Sequence, residues 1–326
     1  MKALVTGGAG YIGSHTCRAL AAAGITPVVY DDLSNGHASF VRWGPLERGD
    51  IRDRERLAAV MRHHRPAVAV HFAGLIEVGQ SVRDPLSFMD ANVAGTIALL
   101  DALGDTPLVF SSTCAIYGDP DGRPLGESHP RAPVSPYGRS KLMVEEVMDA
   151  LETANQTRTV RLRYFNAAGA SADGVLGERH DPETHIVPLL LLAALGEREG
   201  FRIFGTDYAT PDGTCIRDFV HVEDLAEAHL RAVRHLLAGG GSDAFNLGTG
   251  RGTSVRALCD AVMRRTGRTI AVQEAERRPG DPAVLVADPV RARDVLGWRA
   301  SRDLDTIIDS AFAWHEGLLA RPREVA

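Results

Sequence analysis

Lysine is nearly missing from this chain: of 36 basic residues among 326, only Lys2 and Lys141 are lysines and the rest are arginines. Basic residues are not in excess either. Thirty-six Lys and Arg against 42 Asp and Glu leave a net charge of −6, so no polycationic surface is available for nucleic acid. Cysteines are few and scattered. Cys17, Cys114, Cys215 and Cys259 form neither a C-x-x-C pair nor a zinc spacing, so they read as reduced, cytosolic thiols packed as small apolar residues. The longest apolar run, Ile186 to Leu195, has about ten residues against the roughly 20 of a spanning helix, so no membrane segment is expected. The chain enters a strand-like run at Met1-Lys2-Ala3-Leu4-Val5, and no signal peptide is expected ahead of it. These absences leave a soluble intracellular protein. Its 44% hydrophobic content is enough for one large domain or two closely joined ones.

What is present has a rhythm. Apolar runs at 3–6, 28–30, 67–72, 108–112 and 159–164 alternate with helical patterns at 11–23, 53–64, 85–103 and 138–154. Short β-rich runs separated by helices mean right-handed β-α-β units. The expected class is α/β, a doubly wound, Rossmann-like parallel sheet covered on both faces. After residue 170 the rhythm breaks. Segments 171–217 and 248–326 read as a smaller C-terminal α+β lobe, while 218–247 returns one helix and one strand to the first domain, 1–170. A ligand is expected at the junction of the two lobes.

Between the first strand and first helix lies Thr6-Gly7-Gly8-Ala9-Gly10-Tyr11-Ile12-Gly13. Gly7, Gly10 and Gly13 make a G-x-x-G-x-x-G turn, which permits side-chain-free approach of a pyrophosphate to a helix N-terminus. Asp31 follows Gly13 by 18 residues and closes the second strand, where a carboxylate accepts from both ribose hydroxyls and repels a 2′-phosphate. No arginine stands in Asp31-Asp32-Leu33-Ser34-Asn35-Gly36, so the cofactor is expected to be NAD rather than NADP. Asp50 and Ile51 are placed to meet the adenine amino group and ring. The small residues of His71-Phe72-Ala73-Gly74 let backbone pass close to a cofactor.

The second motif explains the surviving lysine. Tyr137-Gly138-Arg139-Ser140-Lys141 sets a phenol and an ammonium on one helix face, one turn apart. Chance placement of 6 Tyr and 2 Lys in 326 positions yields roughly 0.04 such pairs. A cation about 5 Å from a phenol, at an effective dielectric of about 20, contributes roughly 3 kcal/mol and lowers the phenol pKa by about two. Tyr137 is therefore expected to act as a general base, with Lys141 and a positively charged oxidised nicotinamide together bringing its pKa toward neutrality. Upstream, alternation along Phe110-Ser111-Ser112-Thr113 puts Ser111 and Thr113 on one face. A hydroxyl there, Thr113 first and Ser111 second, can donate to a reacting oxygen and relay its proton.

Over essentially its whole length the chain resembles the extended short-chain dehydrogenase/reductase family, and within it the UDP-sugar 4-epimerases. The stretches that carry this are Gly7 to His15, Asp31 to Gly36, His71 to Leu75, Ser135 to Gly138, Tyr164-Phe165-Asn166, Arg217 to Val222 and Arg278-Pro279-Gly280-Asp281. The resemblance implies an NAD-dependent isomerase that inverts C4 of a UDP-hexose, UDP-glucose or UDP-galactose, through a transient 4-ketone. It further implies a homodimer built on helices 85–103 and 138–154, and no metal. Tyr11, Ile12, Asn35, Asn92, Tyr164 and Phe165 join the implied cofactor contacts. On the substrate side, Asn166 would hold a phosphate or sugar oxygen, Arg217 and Arg278 would clamp the pyrophosphate, Asp281 would bind the uridine ribose, and Arg202-Ile203-Phe204 would flank the uracil.

The chain departs from the family pattern at several points. Ile76 stands where many members have Lys, Asp32 replaces a commoner Asn, Thr113 replaces Ser, and His185 lies where some members place an Asn near the nucleotide sugar. Leu285 aligns with a gatekeeper that varies from Tyr to Cys or Ser, which leaves UDP-N-acetylglucosamine open as a substrate. UDP-xylose/arabinose or UDP-glucuronate 4-epimerisation would use the same machinery. A 4,6-dehydratase would need a carboxylic acid pair after Thr113, where Cys114 and Ala115 stand. A non-catalytic NAD-binding module would not need the Tyr–Lys pair, which is intact.

Overall fold

The computed structural model describes residues 1–120, 122–154, 157–278 and 280–320. Its centre is a seven-stranded parallel sheet. β1 (Lys2–Thr6) pairs on one side with β2 (Thr26–Asp31), which in turn pairs with β3 (Leu46–Arg48). On its other side β1 pairs with β4 (Val68–His71), followed by β5 (Leu108–Thr113), β6 (Thr159–Tyr164) and the strand Asp243–Leu247. The order therefore reverses between β1 and β4, and a crevice opens outside the carboxyl ends of those two strands.

Continuous apolar runs make these strands buried on both faces. Ala3 and Val5 point into one core with Val70, Val109 and Leu162. There they meet Cys17 and Leu20 of helix Tyr11–Ala22 and Leu225 and Val233 of helix Val222–Leu237. Leu4 points the other way, with Val28, Ala69 and Phe110, onto helices Arg54–His64, Gly95–Leu103 and Pro136–Thr153. The alternation of one strand between two cores is what winds the sheet doubly. A separate core under residues 186–308, around Leu190, Ile203, Val262 and Ile307, packs the helices Ile186–Ala194, Val255–Thr266 and Leu304–Ala320 together. Short strands stitch this region together, Phe201–Phe204 with Val272–Ala275, and Ile216–Arg217 with Thr253–Ser254 and Val284–Leu285.

Two elements differ from the sequence expectation. β3 is an edge strand of only Leu46-Glu47-Arg48, too short and polar to show a β pattern; Glu47 instead anchors it to Arg56 at 2.5 Å and His64 at 2.7 Å. The segment read as one helix over 85–103 is broken. An α-turn at Pro85–Phe88 passes into a π-helical turn at Met89–Ala94 before the helix resumes at Gly95. That π turn presents Asn92, whose amide ties the loop after β4 to the helix bearing Tyr137; such turns recur at functional sites. The same segment, Pro85–Leu103, is the one stretch among the described residues long and apolar enough to span a membrane by composition. Its apolar side chains Phe88, Ala98, Leu99, Leu100 and Leu103 are buried in the fold, and Asp90 and Asp101 lie within it.

Candidate active site

The crevice at the strand ends opens into a cavity of about 680 Å³ that runs from Asp31 to Asp281. Four of the seven strands deliver a wall residue at their carboxyl ends: Asp31 from β2, Phe72 after β4, Ser111 and Thr113 from β5, Tyr164 from β6.

The glycine turn divides its labour. Gly7 takes φ +69°, and a Cβ there would stand 2.5 Å from the Ala73 nitrogen; one on Gly13 would stand 2.2 Å from the Gly7 carbonyl oxygen. Those two glycines are demanded by the packing of the protein itself. Gly10 is different. It lines the cavity, its backbone is extended at φ −82°, and a Cβ there would meet only the Gly7 oxygen at 3.3 Å. Nothing in the protein requires glycine at this helix N-terminus, whereas close approach of a pyrophosphate does, so the turn fits a dinucleotide. Tyr11 and Ile12 line the wall behind it.

Asp31 is buried at the cavity edge, accepting from the Ala9 N–H at 3.0 Å and the Leu33 N–H at 2.9 Å. Burial pushes its pKa up and those two N–H groups oppose the rise. Asp32, exposed, accepts from the Ser34 N–H and hydroxyl, and shapes the turn that carries Asn35. Sequence reasoning missed Arg52 at this end. Its guanidinium is committed to Asp50 at 2.5 Å and Asp90 at 2.6 Å, so it is not a free cation for a 2′-phosphate. Ile51 is buried against Gly95, where a Cβ would come within 2.5 Å of its Cγ2.

Tyr137 sits in the first turn of helix Pro136–Thr153, whose N-cap Ser135 accepts from the Gly138 N–H at 3.1 Å. Gly138 lets the helix approach closely, since a Cβ there would lie 2.6 Å from the Ala115 oxygen. Lys141, one turn on, is buried. Its ammonium donates to the Ser111 carbonyl at 3.0 Å and lies 4.8 Å from the centre of the Phe110 ring. Ser111 and Thr113 face the cavity while Ser112 turns away to donate to Glu145 at 2.6 Å. Tyr164 and Ser111 share a hydrogen bond. In the chain alone the Lys141 ammonium by itself does not depress the Tyr137 pKa. Burial dominates and pushes the phenol up to about 12, with the Thr113 hydroxyl opposing it. Burial likewise lowers Lys141 to about 8, Glu145 working against it. A desolvated ammonium aimed at a backbone carbonyl does not offset the desolvation of its neighbour.

Beyond Tyr137 the cavity continues past Phe165, Asn166 and Leu285 to Arg217 and Asp281, which form an ion pair with each other. Several expected contacts do not line it. Asn92 spends both amide hydrogens on the Leu75 oxygen at 3.0 Å and Ser140 at 2.9 Å, so it positions the Gly74–Leu75 turn instead. Ile203 is a core residue, 1% exposed, because strand alternation sends it inward. Arg202 is exposed, and Arg278 lies 3.8 Å over the Phe204 ring outside the cavity wall. Pro279 lies outside the described residues.

His185 does reach the cavity, but beside two side chains that sequence reasoning passed over, Glu178 and His180. Their signal was the spacing Glu-x-His-x-x-Glu-x-His over 178–185. Asp218 was also missed as an organiser. Fully buried, it accepts from the N–H groups of Thr249, Gly250 and Ala287, and pins the loops around Arg217.

Residues 3–248 match the NAD dependent epimerase/dehydratase family. A UDP-glucose 4-epimerase of Rhizobium meliloti (strain 1021) is 57% identical over 315 residues, 96% of each chain. Among solved structures, the UDP-glucose 4-epimerase of Brucella ovis in complex with NAD superposes with a TM-score of 0.93 at 50% identity, covering 96% of this chain and 97% of that one. The UDP-glucose-4-epimerase of Stenotrophomonas maltophila with bound NAD and formylated UDP-arabinopyranose superposes with a TM-score of 0.95 at 40% identity, covering 98% and 99%. With its doubly wound sheet, its glycine turn and its Tyr137–Lys141 pair, this chain belongs to the NAD dependent epimerase/dehydratase family.

Proposed function

We propose that this protein interconverts UDP-glucose and UDP-galactose by inverting C4 of the sugar, with NAD held in the cavity. The observation that carries the reading is one continuous cavity joining a dinucleotide-shaped turn at Gly10 to the Tyr137–Thr113 pair and on to Arg217 and Asp281. When bound, the nicotinamide supplies the hydride acceptor and donor that inversion requires, since a C4 hydrogen with no neighbouring carbonyl is not acidic.

The chain's own residues do the rest. Tyr137 Oη takes the proton of the 4-hydroxyl and returns it, with Thr113 Oγ1 as its hydrogen-bonding partner. Against the burial of Tyr137, the helix N-terminus beneath it, the Thr113 hydroxyl and the positive charge that an oxidised nicotinamide would bring beside Lys141 favour the phenolate that this requires. Gly7, Gly10, Tyr11, Ile12, Gly13, Asp31, Asp32, Asn35, Asp50, Ile51, Phe72, Ala73, Gly74, Ser111, Tyr164 and Phe165 surround the cofactor. Asn166, Arg217, Asp281 and Leu285 surround the UDP-sugar, His185 stands at the edge of that cavity with its Nδ1 turned to Glu178 and Glu183, and residues 171–217 and 248–326 form the lobe that grips it. The turn after Thr113, Cys114-Ala115, carries no carboxylic acid, which disfavours a dehydratase.

A homodimer is supported by apolar side chains that the monomer leaves out: Val82 at 65% exposure and Leu86 at 79%, beside the half-exposed Met143. Leu86→Asp should then yield a monomer in light scattering. The four cysteines, all unpaired, support a cytoplasmic setting. The test of function is incubation of purified protein with UDP-galactose, UDP-glucuronate, UDP-xylose and both N-acetyl sugars without added NAD. UDP-glucose should form from UDP-galactose; interconversion of another pair alone would overturn the reading.

A further inference from the structure

Glu178, His180 and His185 at the cavity wall and Glu183 beside them bring one ligand atom each within 4.8 Å of one another. His180 Nδ1 lies 3.6 Å from Glu178 Oε1 and 3.6 Å from Glu183 Oε2; His185 Nδ1 lies 2.9 Å from Glu178 Oε1 and 3.4 Å from Glu183 Oε1. Both Nδ1 atoms are buried, and the groups each faces are the carboxylates of Glu178 and Glu183. We propose that these four side chains form a closed site for a divalent transition metal of the zinc type.

Bonds of about 2.0–2.1 Å from a tetrahedral zinc place its ligands roughly 3.3–3.4 Å apart, and the three distances that run to Glu178 Oε1 and Glu183 Oε2, 2.9, 3.6 and 3.6 Å, bracket that value. Two carboxylates and two neutral imidazoles cancel the charge of the ion. Imidazole with carboxylate suits zinc, cobalt or nickel rather than magnesium, which demands an octahedral oxygen shell. The ligands are also held from behind. Glu183 Oε1 accepts from the Thr184 and His185 N–H groups at 2.8 Å each, leaving Oε2 toward His180. The Glu178 carbonyl accepts from the Trp314 indole at 2.9 Å. Such outer partners orient ligands in established metal sites. Four protein ligands close the coordination shell, so the ion fixes the fold of segment 178–185, which ends at His185, the N-cap of helix Ile186–Ala194, and takes no part in proton transfer.

The test uses the NAD-bound protein, stripped with chelator, then passed through gel filtration after exposure to Zn²⁺, Co²⁺ or Mg²⁺. The site predicts one Zn²⁺ or Co²⁺ retained per chain, the intense visible bands of four-coordinate Co²⁺, a melting temperature higher in Zn²⁺ than in chelator, and no retained Mg²⁺. His180→Ala and Glu183→Gln should each weaken retention at least tenfold while NAD content stays at the wild-type level. No stoichiometric ion on the wild-type protein, equal retention of Mg²⁺, or retention unchanged in folded variants would each overturn the site, and would mean that protons fill the cluster instead. The wild-type measurement decides alone if a variant does not fold.

Discussion

Gly10 and Gly13 sit three residues apart in one turn, and the structure separates their duties sharply enough to test. Gly13→Ala drives a methyl to 2.2 Å from the Gly7 oxygen and 2.9 Å from the Gly8 Cα, both backbone atoms that cannot swing aside. Overpacking costs about 1–3 kcal/mol, and backbone neighbours put this case at the upper end. In a chain of 326 residues that lowers the melting temperature of the NAD-stripped protein by roughly 3–5 °C. Gly10→Ala meets only one oxygen at 3.3 Å in an extended backbone, so its cost is that of a poorer N-cap, about 1 kcal/mol at most. Its methyl enters the cavity where a pyrophosphate would accept from the backbone. Losing one charge-assisted bond of about 1.5–3 kcal/mol weakens NAD retention roughly ten- to hundredfold. Thermal melting of stripped protein and the NAD released from purified protein measure the two effects separately. Full NAD retention by Gly10→Ala, or equal destabilisation by both variants, refutes the assignment of the turn.

Three further outcomes follow from the same geometry. Tyr137→Phe removes the proton-transfer atom and should lower kcat by about 10²–10⁴ with NAD content unchanged; more than about a tenth of the rate remaining counts against the role. Lys141→Met should abolish turnover yet stabilise the fold near pH 7. The lysine pKa falls from 10.5 to about 8 on burial, so below about pH 8 the folded state bears a desolvation cost of about 3 kcal/mol. That cost is relieved as pH rises from about 8 toward 10.5, so denaturant melts should show the variant's advantage shrinking across that window; an advantage that grows with pH refutes the sign. Glu145→Ala strips the buried Arg163 of a 2.6 Å partner and Ser112 of its acceptor, and should cost about 3–5 kcal/mol in the same melts.

The sheet and the reactive pair were legible because both rest on short-range spacing. An apolar run between glycine turns makes a buried strand wherever it lies, and residues one helical turn apart share a face in any fold. Asp31, Gly10, Tyr137 and Lys141 reach one cavity for that reason. The uracil-flanking stretch failed at Ile203, whose direction depends on which face of a short strand the small lobe covers. Asn92 failed because its amide hydrogens are consumed by Leu75 and Ser140, partners 17 and 48 residues away.

By itself, then, the order of residues determined the layered architecture and the chemistry of the phenol–ammonium pair, since these are local consequences of periodicity. Only the tertiary structure decided how polar those groups' surroundings are and what else stands beside them. Desolvation depends on every chain segment that excludes water from Tyr137 and Lys141. The spacing of Glu178, His180, Glu183 and His185 marks them as candidates, but their convergence depends on how the loop before helix Ile186–Ala194 folds back on itself, which the spacing alone does not specify.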